Sequence, residues 1–172
     1  VTVAYAARPV QTVRGSGASV AALSAEVGPE ALRFHLLTQR NAAVLTLDPS
    51  SMLGASAANP LFALQYAHAR LSRLCESGGN TGLSRLPGFS RLLCAWPDTV
   101  RHAVHQNDPA RLVRYLTELS AAVCRPDSKA VREKQAGEAA TGDGALLPYR
   151  VAKLVISTGL GILRITPVSD MG

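Results

Sequence analysis

Aromatic residues make up only 5% of this 172-residue chain, and lysine is nearly absent, with three Lys against fifteen Arg. With so few rings, the position of each one carries weight. Cysteine is sparse as well. Cys75, Cys94 and Cys124 are odd in number and far apart, with no CxxC and no Cys–His pair at ligand spacing. That pattern argues against a disulfide framework and a zinc site, and it predicts buried or half-buried free thiols in a reducing compartment. No apolar run approaches the roughly 18 residues of a membrane span, and no charged-then-apolar leader is present. A soluble, cytoplasmic protein without membrane contact is expected. The chain opens on Val1 rather than Met, which suggests a cut from a longer natural protein.

What is present is a globular composition, 47% hydrophobic and 17% charged, with a formal net charge of +6. A basic, arginine-rich surface suits polyanions such as nucleic acid or an anionic membrane. An excess of Arg and Ala is equally the mark of a GC-rich genome. Composition does not choose between these readings.

Residues 1–14 are rich in Val and Thr around Pro9 and read as an extended strand or arm. RGSGAS follows as a turn. Its Gly15-x-Gly17 lacks both a GxGxxG fingerprint and a Walker lysine, so a simple connector is the better reading. Ser19 can N-cap a helix to Val27; Gly28 ends it and Pro29 starts the next. That second helix, PEALRFHLLTQR, places Ala31, Leu32, Leu36 and His35 on one face. Residues 41–49 read as a loop and 50–58 as helical. Asn59 and Pro60 open a helix to about Glu76. Two short helices are expected, near Phe89–Trp96 and Asp98–Gln106. Asp108 then caps a long helix stopped before Pro126. The small, polar stretch 127–144 reads as a disordered loop, and a last helix covers Ala145–Leu163. The sum is an all-α bundle of about six to eight helices.

The helix NPLFALQYAHARLSRL raises a question of its own. At 100° per residue, Leu61, Leu64, Ala67, His68, Leu71, Leu74 and Cys75 form one apolar side. Phe62, Tyr66, Arg70 and Arg73 fall on the opposite side at spacings of four, four and three. An open tyrosine offers a face on which an unpaired base stacks, and arginine a fork for phosphate or base edges. A neighbouring helix covering Phe62 and Tyr66 would account for the same pattern. His68, on the apolar side, reads as a hydrogen-bonded core residue. No GxSxG, HExxH or paired carboxylates at catalytic spacing occur. His102 and His105 lie three apart on one helix, where a solvated face is the simpler reading than a metal pair. Met52 and Trp96 read as packing residues. No metal, no cofactor and no catalytic residue is expected.

Asn59-Pro60 followed by Gln65-Tyr66-Ala67-His68-Ala69-Arg70 resembles the NP…QYAHAR helix of bacterial arginyl-tRNA synthetases. Upstream, Val27-Gly28-Pro29-Glu30-Ala31-Leu32-Arg33-Phe34 is similar to the VG-D-ALR-F segment of their DALR anticodon-binding domain, with Glu30 for the usual Asp. Downstream, Arg114 to Leu119 and the closing Ile165…Met171 match in order, so the resemblance covers nearly all of 8–171. It implies the anticodon-binding helical bundle of class I aminoacyl-tRNA synthetases, spanning 19–172. Residues 1–18 then form an extended arm with a degenerate KMSK-like loop. The resemblance implies tRNA as partner, tRNA-Arg or a related one, beside a translation-associated protein. In the family, the Tyr and Arg of the QYAHAR helix and a C-terminal Met approach anticodon bases; here those positions are Tyr66, Arg70 and Met171.

Two departures matter. Where the family carries an FH-FY stretch, this chain has Val123-Cys124-Arg125-Pro126-Asp127, and Arg125 alone survives. Where it carries KMSK, this chain has Gln11-Thr12-Val13-Arg14, and glutamine cannot set an ammonium against ATP phosphates. No His-x-Gly-His occurs within the 172 residues. The expected function is tRNA binding, with Tyr66, Arg70, Arg73, Phe62, Met171 and Arg125 as RNA contacts, and no aminoacylation by this chain. The alternatives are a C-terminal fragment of an active arginine–tRNA ligase and a protein-interaction scaffold derived from one.

Overall fold

Local signals set most helix ends. In this computed structural model, which describes residues 10–12, 15–16, 19–39, 45–56, 58–76, 87–125 and 143–171, the Ala22 amide donates to Ser19 Oγ at 3.1 Å and starts α1 (Val20–Val27). Gly28 has φ +85°, a conformation that side chains with a Cβ rarely adopt, and it turns the chain straight into α2 (Pro29–Thr38). The remaining helices are α3 (Pro49–Leu53), α4 (Pro60–Glu76), α5 (Pro87–Cys94), α6 (Trp96–His105), α7 (Pro109–Cys124) and α8 (Asp143–Ile162). Eight helices among the described residues bear out the all-α reading.

Three short strands accompany the helices. β1 (Val10–Thr12) pairs antiparallel with β2 (Gly15–Ser16) and parallel with β3 (Leu45–Leu47). Residues 45–47 are thus a strand and not loop. Leu-Thr-Leu is β-prone, and its partner lies more than thirty residues upstream, beyond the reach of local pattern. Of the KMSK-like positions, Gln11 and Thr12 fall in β1, while Val13 and Arg14 lie outside the described residues. So do 127–142 of the expected disordered loop; 143–144 begin α8 instead.

Asn59 joins two helices. Its Oδ1 accepts from the amides of Leu61 and Phe62 (3.1 and 3.4 Å), and its Nδ2 donates to the carbonyls of Met52 and Gly54 (2.7 and 3.0 Å). The second pair of bonds explains why α3 stops at Leu53 and does not continue to Ala58. Asp108 occupies the N-cap position of α7, but its side chain makes no capping bond there. The thiols divide: Cys75 and Cys124 are half-buried, while Cys94 is exposed, contrary to expectation. Its neighbours Leu92 and Leu93 turn toward the core, and Cys94 falls on the outer side.

The main core lies between α2, α4, α7 and α8, around Phe34, Leu64, Leu71, Leu116, Leu119, Ile156 and Leu160. A smaller one gathers Leu23, Val27, Leu32, Leu47 and Met52 under α1 and α3. α2 therefore has two buried faces. Leu32 enters the small core and Phe34 the main one, whereas Ala31 and Leu36 are only half-buried. Trp96 packs on Tyr115, ring centroids 5.6 Å apart, and the buried Tyr115 hydroxyl donates to the Leu92 carbonyl at 2.7 Å. Burial, then the nearby Glu118 charge, pushes that phenol up to about 12.

α8 approaches α7 at Gly159. A Cβ there would stand 2.6 and 2.7 Å from the methyls of Leu116, which is itself wholly buried. Gly159→Ala is expected to lower stability. Overpacking costs about 1–3 kcal/mol, offset in part by alanine's roughly 1 kcal/mol better helix propensity. A thermal melt checks this; a midpoint at or above the parent's would contradict it.

Candidate nucleic-acid interface

α4 owes its layout to an unequal distribution of contacts. Leu64, Ala67 and Leu71 face the main core. Gln65, His68, Ala69 and Ser72 are also buried, although a single apolar stripe does not predict it for Gln65, Ala69 or Ser72. The C-terminal tail accounts for Gln65 and His68. Gln65 Nε2 donates to the Thr166 carbonyl at 2.7 Å, and its Oε1 accepts from the Val168 amide at 2.8 Å. His68 Nδ1 lies 2.8 Å from the Val168 carbonyl. A carbonyl only accepts, so Nδ1 carries the proton. His68 is thus the hydrogen-bonded buried residue that its position suggested.

Other elements hold the same tail. Glu30 Oε1 accepts from the Thr166 amide (3.1 Å) and hydroxyl (2.8 Å), and Arg33 Nη1 donates to the Arg164 carbonyl at 2.6 Å. Because Gln65, His68 and Arg73 meet Thr166–Val168, Val168 and Asp170 in turn, the tail runs along α4 in the same direction.

The strip left open on α4 holds the expected RNA contacts. Tyr66 is 47% exposed. Half-buried Phe62, one turn earlier, backs it with a nearly parallel ring, centroids 6.4 Å apart and planes 14° apart. Arg70 follows one turn later and is half-buried rather than fully open. Its charge reaches the Cys124 thiol at the end of α7: burial pushes that thiol up, and Arg70 pulls it partly back. Arg125, the next residue, is exposed at the C-cap of α7. Arg73 is exposed but not free, since its guanidinium is ion-paired with Asp170 of the tail. Half-buried Met171 follows directly. The α4 strip therefore carries a ring, a second ring behind it and two guanidinia, with a docked tail alongside.

Elsewhere, His102 and His105 are exposed, and His102 Nδ1 meets the Asp98 carbonyl of its own helix at 2.7 Å. Among the described residues, no three His, Cys, Asp or Glu side chains gather as metal ligands, and no helix is long and apolar enough to cross a membrane.

Comparison with known proteins gives a consistent picture. No family model matches the chain. An arginine–tRNA ligase of Ruegeria pomeroyi is 33% identical over 168 aligned positions, which cover 85% of this chain and 29% of the relative. That of Roseobacter denitrificans is likewise 33% identical, over 171 positions with the same coverages. The chain thus spans about 29% of the length of the curated relatives it matches. Among solved structures, one assigned as an arginyl-tRNA synthetase of Campylobacter jejuni superposes with TM-score 0.72 at 16% identity, covering 96% of this chain and 40% of that one. Thermus thermophilus arginyl-tRNA synthetase gives 0.61 at 22% identity, covering 85% and 27%. Arginine–tRNA ligase homologues therefore cover most of the chain, and its helical fold is one found in arginyl-tRNA synthetases.

Proposed function

We propose that this chain is the C-terminal, anticodon-binding module of an arginyl-tRNA synthetase-related protein, and that it holds the anticodon arm of a tRNA without catalysing aminoacylation itself. The observation that carries the reading is the open α4 strip, with Tyr66 47% exposed on the same helix as Arg70 and Arg73 and beside the docked tail. Stacking of a loop base on Tyr66 supplies contact that tolerates any base, because every base has a π-face. Phe62 keeps the ring upright. Arg70 and Arg125 meet the phosphates on either side, and Met171 offers an apolar edge. The absence of catalysis rests on Gln11 at the first KMSK position and on the lack of His-x-Gly-His within these residues.

Titration of tRNA into the full chain at two salt concentrations tests this. With about three phosphates neutralised, affinity falls roughly twentyfold between about 50 and 200 mM salt. Absent binding, or binding indifferent to salt, would contradict the proposal and favour a protein-interaction scaffold.

Asp170 has a defined part in this scheme. It neutralises Arg73 in the free protein and would oppose an incoming phosphate. Asp170→Asn is therefore expected to tighten tRNA binding about two- to fivefold at low salt. A direct comparison of dissociation constants checks it; weaker binding would mean that the pair organises the site.

A further inference from the structure

α6 and α8 end in the same turn but carry different residues at its corner. At the end of α6, the Asp108 amide donates to the Ala103 carbonyl (3.0 Å) and Asn107 to Val104 (3.2 Å), with Asn107 at φ +47°. At the end of α8, Ile165 donates to Leu160 (2.9 Å) and Arg164 to Gly161 (3.0 Å), with Arg164 at φ +58°. This is the six-to-one helix stop, and buried Ile165 against buried Leu160 completes it. Its left-handed corner suits Gly or Asn, and a long side chain there is strained. Asn107 obeys that rule; Arg164 does not.

A strained residue is kept where its side chain is used. The fold does not use this one. Arg164 is exposed, and among the described residues its guanidinium has no hydrogen-bonding or ion-pair partner. It lines an open cleft of about 630 Å³ with Arg33, Gly161, Ile165 and Thr166. Among the described residues Arg33 contacts the Arg164 carbonyl and no carboxylate; Glu30, close by, accepts from the amide and hydroxyl of Thr166. Two guanidinia thus face one cleft that has no aromatic lining. That combination suits phosphodiester oxygens rather than bases. The tail from Arg164 to Met171 spans at most about 25 Å, so the cleft lies within reach of an RNA stem whose loop sits on α4.

We propose that Arg164, with Arg33 beside it, is a second RNA contact that takes backbone phosphate of the stem; this rests on the anticodon-arm reading above. Arg164→Gly in the full chain should relieve the left-handed corner and raise the melting midpoint by about 2–4 °C. The same variant should bind a synthetic anticodon stem-loop RNA about two- to fivefold more weakly and lower the salt slope by about 0.9, the share of one duplex phosphate. Arg164→Lys should recover part of the loss. A single-stranded oligonucleotide of the loop alone should not distinguish Arg164→Gly from the parent but should distinguish Tyr66→Ala. If Arg164→Gly is more stable and binds the stem-loop as tightly as the parent, the second contact is overturned while the α4 strip stands. If the parent binds no stem-loop, both fall.

Discussion

Tyr66→Ala is expected to weaken binding of an anticodon stem-loop by about 1–3 kcal/mol, roughly 5- to 150-fold, with the helical fold intact. The ring is 47% exposed, and the aromatic neighbour it stacks on is Phe62 of its own helix. Its removal therefore opens no cavity, and stability should change by no more than about 0.5 kcal/mol. Tyr66→Phe separates two explanations. Stacking needs the ring and not the hydroxyl, so phenylalanine should bind nearly as the parent does. An equal loss in both variants would assign the effect to a hydroxyl hydrogen bond. No loss in the alanine variant would remove the base from this ring. Fluorescence anisotropy with end-labelled RNA measures all three.

The largest expected effect on stability lies at Phe34. Its side chain is wholly buried in the main core, from a helix that also lines the smaller one. Phe34→Ala is expected to lower the unfolding free energy by about 3–5 kcal/mol, a drop of roughly 6–20 °C in melting midpoint for a chain of this size. The loss has a route to the interface. α2 carries Glu30 and Arg33, which hold the start of the tail, so loosening α2 should free the tail before the bundle unfolds. Urea unfolding followed by circular dichroism measures the first effect. Faster hydrogen exchange at the amides of Thr166 and Val168 reports the second. A change below about 1 kcal/mol would mean that the site collapses around the missing ring.

Much of this was legible because it is local. Ser19, the Gly28-Pro29 pair and Asn59 announce helix ends through bonds to residues two to four positions away. The outward set Phe62, Tyr66 and Arg70 follows from helical spacing alone. What the sequence hid is non-local. Gln65 is buried by a tail one hundred and one residues downstream, so α4's own periodicity cannot show it. Phe34 escaped because α2 lies between two cores, and a one-stripe reading finds only one. Helical spacing puts Arg73 on the outward face, but its ion pair with Asp170 of the tail is invisible to spacing. Arg164 gave no turn signal at all. Its corner is made by hydrogen bonds and by burial of Ile165 rather than by a turn-forming residue. Met171 came from family resemblance, which carries tertiary information that spacing does not.

Photo-crosslinking tests the placement of RNA most directly. A benzophenone amino acid is introduced at Tyr66, and in a separate protein at Val104, which is 69% exposed on α6, a helix packed against α5 and α7. Irradiation with bound stem-loop RNA should give an adduct from position 66 that maps to loop nucleotides, and little from position 104. Equal labelling at both positions, or labelling at 104 alone, would contradict an RNA-receiving surface on α4.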